Sequence, residues 1–296
     1  MEHSQLIADL IQAESLMVEG QNQRAEEMLA TLAEDAEEYV SRNCITTKEV
    51  QWFAFPTIFE LLAYRKVEED PRELKNIGEP LDRLYADLAL ACVRLGDYKM
   101  ASEALKQAVR WNPMECGYRL DLAEIFATNG DMNEYLALTY SVFERASDVR
   151  HLARAYSNFA GFYLKTGREM MGASCLRVAR RLNTRDASLE AQLHEAAGTA
   201  HDPDLIDDEE AAKLLHTEGI PDGANAEIAI CMLMCATDAA RAGVKELATN
   251  LTVRARDLVG APACKALLEL IHSADEEVEK EELQEELSSK LDNKEV

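Results

Sequence analysis

The chain has 296 residues, 47% of them hydrophobic, with only 13 glycines and 7 prolines. So few turn-forming residues favour helices over an all-β sandwich or barrel, and the hydrophobic content excludes a chain that is disordered throughout. The formal net charge of −24 argues against binding to nucleic acid or to an anionic membrane surface, and it permits a partner with a basic segment.

The N-terminus and the cysteines indicate the cellular compartment. No basic segment precedes an apolar run at the start of the chain, and the longest apolar run, 228–236, is too short to cross a bilayer. We therefore expect a cytoplasmic protein. The seven cysteines are scattered through apolar stretches, which predicts reduced, buried thiols and not a disulfide framework.

Residues 1–43 have the pattern of a degenerate helical hairpin. Ala13 and Leu16 lie three residues apart before Gly20, as on one face of a helix, and Ala25 lies after it in a second stretch with a helical pattern. A glycine between two helical patterns supplies the turn, because it adopts a left-handed conformation at little cost.

Residues 44–81 interrupt the helical rhythm and are predicted to be an irregular, aromatic-rich helical insert. The run 46–49 (Thr-Thr-Lys-Glu) fits a capping box, in which hydroxyl and carboxylate groups satisfy the free amides at a helix start. We expect a helix after it, with Trp52, Phe55 and Phe59 sharing one buried face. An aromatic patch that binds a partner is the alternative.

A spacing of 34 residues recurs in the middle of the chain. Leu88 and Leu122 are 34 residues apart, and so are Gly96 and Gly130. Each unit reads as a helix, a Gly-Asp turn and a second helix. The first unit resembles the tetratricopeptide repeat through eight residues that match the family pattern, namely Tyr85, Leu88, Ala89, Gly96, Tyr98, Ala101, Ala108 and Pro113.

This resemblance implies the fold. Residues 82–184 would hold three tetratricopeptide-like repeats, and 1–43 and 223–272 would hold weaker copies of the same spacing. The fold class that follows is all-α, a right-handed α-solenoid of antiparallel helix pairs in which neighbouring hairpins bury each other's apolar faces.

Residues 185–222 are predicted to be an irregular helical linker. Asp207 and Glu210 are placed to cap a helix that ends at Gly219. Asp204, Asp207 and Asp208 also resemble a carboxylate cluster for Mg²⁺, although carboxylates are common at helix starts for electrostatic reasons.

The end of the chain, 273–296, is predicted to be an acidic helix or tail. It carries ten Asp or Glu residues against three lysines. It would cap the array as a solvated helix, or recruit a basic partner.

In the tetratricopeptide family the first helices of successive repeats line a concave groove. The matching positions in this chain are Arg83, Asp87, Leu90, Arg94, Asp121, Glu124, Arg154, Asn158 and Lys165. Together they make a charged, mixed surface. Asp121 would repel a carboxylate, so the resemblance does not extend to the subfamily that binds chaperone C-termini.

Known catalytic motifs do not occur in the sequence. It has no HExxH pair, no glycine-rich phosphate loop and no GxSxG nucleophile turn. We therefore predict a non-enzymatic scaffold or adaptor, with no cofactor and no metal, that binds a peptide, helix or protein partner with a basic segment in the groove. The alternatives are a helical enzyme that uses Asp204, Asp207 and Asp208, and a regulatory protein that senses a peptide.

Overall fold

The computed structural model describes residues 3–182, 184–274 and 277, and in them the chain is helical apart from two short strands. The α-helices in chain order are α1 (His3–Val18), α2 (Asn22–Asn43), α3 (Ile58–Glu68), α4 (Leu81–Leu95), α5 (Tyr98–Trp111), α6 (Cys116–Thr128), α7 (Met132–Arg145), α8 (Val149–Lys165), α9 (Glu169–Arg181), α10 (Ala187–Ala196), α11 (Asp208–Thr217), α12 (Ala226–Arg241) and α13 (Lys245–Val259). Residues 261–274 are also helical. The chain divides into two compact units, Met1–Asn225 and Ala226–Val296.

The Gly-Asp turns between paired helices form as the sequence predicts. Gly96 and Gly130 both have positive φ, at 80° and 81°, which is a conformation that side chains with a Cβ avoid. Each glycine is followed by an aspartate whose carboxylate caps the next helix. Asp97 accepts a hydrogen bond from the amide of Met100, and Asp131 caps α7 in the same way. Glycine thus ends one helix and aspartate begins the next.

Small side chains lie where the two helices of the first repeat cross. Ala89 of α4 and Ala101 and Ala108 of α5 are at most 2% exposed. An alanine at a crossing lets two helix backbones approach closely, so the apolar faces pack at high density. The N-terminal hairpin joins the same core, because α2 packs against α4 and contributes Leu29 and Ala36 to it. The all-α helical repeat fold is confirmed.

The aromatic segment is the part of the fold that we predicted wrongly. Trp52 lies not in a helix with Phe55 and Phe59 but in strand β1 (Val50–Phe53), which pairs in parallel with β2 (Glu73–Asn76). The run Val-Gln-Trp-Phe has the β-branched and aromatic side chains that strands favour, and its partner strand lies beyond α3 in the sequence. Phe55 and Phe59 are buried as expected, whereas Trp52 is only half-buried. Phe55 stacks on Phe53 in the interior.

The helix start in this insert is also displaced from the predicted place. The capping box is formed by Thr57 and Glu60 at the start of α3, and not by residues 46–49. The hydroxyl of Thr47 accepts hydrogen bonds from the amides of Glu49 and Val50, which turns the chain into β1. Both runs place a threonine three residues before a glutamate, but only the run that begins at Thr57 is followed by a helix.

The second unit, Ala226–Val296, begins with a hairpin of α12 and α13 around Gly243, whose φ is +77°. All seven cysteines of the chain are buried thiols outside any disulfide, as predicted. Within the described residues no helix combines the length and the hydropathy needed to span a membrane. The predicted acidic segment 273–296 lies outside the described residues apart from 273, 274 and 277.

Two glycines in α8 and α9 give a matched test of how closely these two helices pack. A Cβ added at Gly172 in α9 would lie 2.6 Å from two carbons of Leu164, whereas one added at Gly161 in α8 would have only an ordinary contact of 3.8 Å with Gln192. We expect Gly172→Ala to lower the free energy of unfolding by about 1–3 kcal/mol through overpacking. Gly161→Ala should raise it by about 0.5–1 kcal/mol through helix propensity.

Urea unfolding followed by circular dichroism measures both variants. Equal stability of the two variants would contradict the close approach of α8 and α9 at Gly172.

Candidate functional site

The residues predicted to line a groove lie on α4, α6 and α8, and most of them face two neighbouring cavities. Asp87, Leu90, Asp121, Glu124 and Arg154 line a first cavity of about 530 Å³ on α4 and α6. The structure therefore brings five of the nine predicted residues into one concave site.

A second cavity of about 460 Å³ adjoins the first and shares Glu124 with it. It lies on α8 and α10, and the predicted residues Asn158 and Lys165 line it. We call the surface formed by these two cavities the groove.

The first cavity has an apolar floor that is open to solvent. Leu90, Val93 and Tyr98 are 37 to 43% exposed, and all three line the cavity. Single exposed apolar residues are common on any protein, but several in one concavity are typical of a binding site. The sequence analysis included Leu90 and missed Val93 and Tyr98 as cavity residues, because neither is among the family positions transferred to the groove. Tyr98 was identified only as a match to the repeat pattern.

Carboxylates outnumber cations around that floor. Asp87, Asp121 and Glu124 line the first cavity together with a single guanidinium, that of Arg154. Arg154 Nη1 donates to Asp121 Oδ1 over 2.6 Å, and its Nη2 lies 3.9 Å from Glu124 Oε1. One cation shared between two of three carboxylates leaves the cavity wall with negative charge.

A buried hydrogen-bonded cluster supports this wall. Asp82 is only 5% exposed and accepts hydrogen bonds from Asn112 Nδ2 over 3.0 Å and from Tyr118 Oη over 3.2 Å. Burial raises the pKa of Asp82, although both hydrogen bonds oppose that shift. The bond to Tyr118 fixes a ring that lines the first cavity. Sequence reasoning missed Tyr118, since its role depends on Asp82, which lies 36 residues away in the chain.

Asp87 is a carboxylate of the first cavity with incomplete hydrogen bonding. Its Oδ2 is buried and has no hydrogen-bond partner. Burial raises the pKa of Asp87 to about 7, the negative charge of Glu14 and a hydrogen bond that the protonated carboxyl shares with Glu14 add to the rise, and Arg83 opposes it. A group with this pKa changes charge near neutral pH.

Two predicted groove residues have a structural task instead. Arg83 Nε donates to Glu14 Oε1 over 3.0 Å, and Arg94 Nη1 donates to the carbonyl of Met17 over 2.6 Å. Both bonds hold α1 against α4, and neither arginine lines a cavity of the groove. Both side chains lie on the face of α4 that the family positions indicate, but in this chain they bond to α1 of the N-terminal hairpin while remaining partly exposed.

The second cavity also holds polar atoms without partners. Gln192 Oε1 on α10 and Nδ1 of His201 are buried and form no hydrogen bond, and both residues line the cavity. Asn158 is buried and makes one long contact, 3.4 Å from its Nδ2 to Thr139 Oγ1. Buried polar groups are rarely left unpaired, so these atoms mark a place where a further polar group can bind. Gln192 and His201 carry no sequence signal that would have identified them.

The carboxylates proposed as an alternative enzyme site each have a structural partner. Asp207 caps α11 by accepting from the amide of Glu210 over 2.8 Å, as predicted. Asp208 accepts from Arg177 Nε over 2.6 Å, and Asp204 bonds Arg180. The arginines of α9 lower the pKa of Asp204 and Asp208. Among the described residues, no three His, Cys, Asp or Glu side chains are grouped to hold a metal ion.

Comparisons with known proteins identify one segment of the chain. The family model of the tetratricopeptide repeat matches residues 82–113, which comprise α4 and α5, and this confirms the resemblance stated for the first unit. The TPR-like repeats of a kinesin light chain from Podosopora anserina are 20% identical to this chain, with a TM-score of 0.43 over 73% of this chain and 94% of that chain. A substituted form of the same repeats is 21% identical over the same shares, with a TM-score of 0.44. A search among curated proteins gives no match.

The contacts of Arg83 and Arg94 predict an effect on the N-terminal hairpin. The double substitution Arg83→Ala with Arg94→Ala should lower the free energy of unfolding by about 1–2 kcal/mol, because it removes an ion pair and a charge-assisted hydrogen bond at a half-exposed contact. Amide hydrogen exchange in α1 and α2 should quicken more than in α8 and α9. Mass spectrometry of peptic fragments measures this difference.

The control removes the same charge from the exposed side of α5, by Lys99→Ala with Lys106→Ala. If the two double variants show the same exchange in α1 and α2, the arginines do not hold the hairpin.

Proposed function

We propose that this chain, which carries a tetratricopeptide repeat at residues 82–113, is a scaffold that binds a peptide or helical segment of a partner protein in the groove. The observation that carries the proposal is the first cavity, where Leu90, Val93 and Tyr98 expose apolar surface inside a concave, acidic wall. Repeats of this kind generally mediate protein–protein interactions, and their stacked helices offer an extended surface for this purpose.

The side chains of the cavity wall indicate which kind of partner residue would bind there. An apolar side chain of the partner would cover Leu90 and Val93, which removes their exposed surface from water. Lysine or arginine residues beside it would meet the carboxylates of Asp121 and Glu124. The net charge of −24 favours encounter with a basic segment over an acidic one.

The second cavity extends the binding surface. Gln192 and Asn158 line it and add polar side chains beside the acidic wall of the first cavity. The shared residue Glu124 makes the two cavities continuous, so a segment that fills the first can reach the second. We therefore propose an occupant longer than a single side chain.

A library of random dodecapeptides displayed on phage tests the proposal with the full chain as bait. We expect the enriched peptides to combine leucine, isoleucine, valine or phenylalanine with lysine or arginine. Leu90→Asp should weaken the binding of a selected peptide by about tenfold or more, because a charge then replaces the apolar floor.

The matched control is Leu62→Asp on α3, whose leucine is 40% exposed and lies outside both cavities, compared with 43% for Leu90. It should leave the dissociation constant unchanged. Enrichment of no peptide, or equal loss in both variants, would overturn the proposal. Fluorescence polarisation gives the dissociation constants.

A further inference from the structure

We propose that Asp87 selects the partner of the groove by binding one of its lysine or arginine side chains, and that this makes binding stronger above neutral pH than below it. The inference rests on the proposed function of the groove, to which it adds the anchoring contact and its regulation.

The geometry of Asp87 leaves room for a cationic donor. Its side chain is 15% exposed and lines the first cavity, while its Oδ2 is buried without a hydrogen-bond partner. The nearby cation Arg83 has its Nε 3.8 Å from that oxygen, which is too far for a hydrogen bond, and the same Nε is already bonded to Glu14. An ammonium or guanidinium group that enters the cavity would meet the exposed part of this carboxyl.

The position of Asp87 on α4 suits a long cationic side chain. Leu90 lies three residues further on and therefore neighbours Asp87 on the helix surface. The aliphatic stem of a lysine can cover the exposed Leu90 side chain while its ammonium group reaches the carboxylate. One partner residue would then contact both the apolar floor and the carboxylate of Asp87.

Most of the charged groups around Asp87 are acidic. Asp82 and Arg83 face it from α4 itself, and Glu14 faces it from α1. Tyr118, Asp121 and Glu124 of α6 and Arg154 of α8 line the same cavity. Arg83 and Arg154 are the two cations in this set, and each is bonded to another carboxylate. The surroundings therefore favour the entry of a further positive charge.

This environment links binding to protonation. Burial and Glu14 hold the pKa of Asp87 at about 7 in the free protein, so a large fraction of the carboxyl groups is protonated below neutral pH. A bound cation favours the carboxylate and lowers this pKa, so that binding releases a proton. Affinity should then rise by about tenfold between about pH 6 and about pH 8, since the carboxyl of the free protein must lose its proton before it pairs.

The test uses the full chain and a fluorescein-labelled peptide with one lysine between leucines. A second peptide carries acetyl-lysine at the same place, which keeps the stem and removes the charge. Fluorescence polarisation at a constant ionic strength gives the dissociation constants from about pH 6 to about pH 8. We expect the lysine peptide to bind more tightly than the acetyl-lysine peptide, with the tenfold pH dependence confined to the lysine peptide.

Two substitutions distinguish the effect of Asp87 on binding from the effect of the overall negative charge of the cavity. Asp87→Asn is nearly isosteric, and it should weaken binding of the lysine peptide by about tenfold at about pH 8 and abolish the pH dependence. Asp121→Asn removes a carboxylate from the same cavity and should weaken binding while the pH dependence remains. Circular dichroism confirms that each variant is folded, and the comparison of the two peptides on the unsubstituted chain needs no variant.

The outcomes distinguish this inference from the proposed function. Equal binding of the two peptides, or a tenfold pH dependence that persists in Asp87→Asn, would overturn the role of Asp87 and leave the groove as a binding site. Absence of binding by either peptide would overturn the role of Asp87, and failure of the displayed library as well would overturn the groove.

Discussion

The structure depends on how closely the two helices of a hairpin approach each other. In the first repeat this approach is set by Ala89, Ala101 and Ala108, whose small side chains are buried where α4 and α5 cross. The glycine turn at Gly96 fixes the antiparallel direction of the pair. Once α5 covers one side of α4 and α2 packs on another, the remaining side of α4 faces the cavity with Asp87 and Leu90. The site is therefore a consequence of which faces the hairpins use for packing.

The parts of the fold that the sequence predicts are those set by local interactions. A Gly-Asp pair predicts a turn and a cap because both effects act within a few residues, and the structure has them at Gly96 and Gly130. The strand Val50–Phe53 was missed because it exists only through pairing with Glu73–Asn76, on the other side of a helix. Residue pattern alone could not decide between a strand and the helix start that the run 46–49 imitates.

The same division applies to the candidate site. Leu90, Asp121 and Arg154, which the family positions predict, line the first cavity, because the spacing of a helix determines which side chains share a face. Arg83 and Arg94, predicted in the same way, line neither cavity and bond to α1, a contact that the family positions do not contain. The unpaired atoms of the second cavity lie outside this kind of prediction. They depend on side chains from separate helices that meet only in the folded chain.

The insert between α2 and α4 has a consequence for how the chain folds. α2 packs on α4 although residues 44–80 separate them, whereas α4 and α5 are joined by a tight turn. Contacts that close a long loop form later than contacts between neighbours in the sequence, because they cost more chain entropy. The repeat hairpins can thus form first from local contacts, and docking of the N-terminal hairpin completes one end of the array. Glu14, which raises the pKa of Asp87, comes close to Asp87 only in this last step. The pKa of Asp87 therefore depends on whether the N-terminal hairpin has docked.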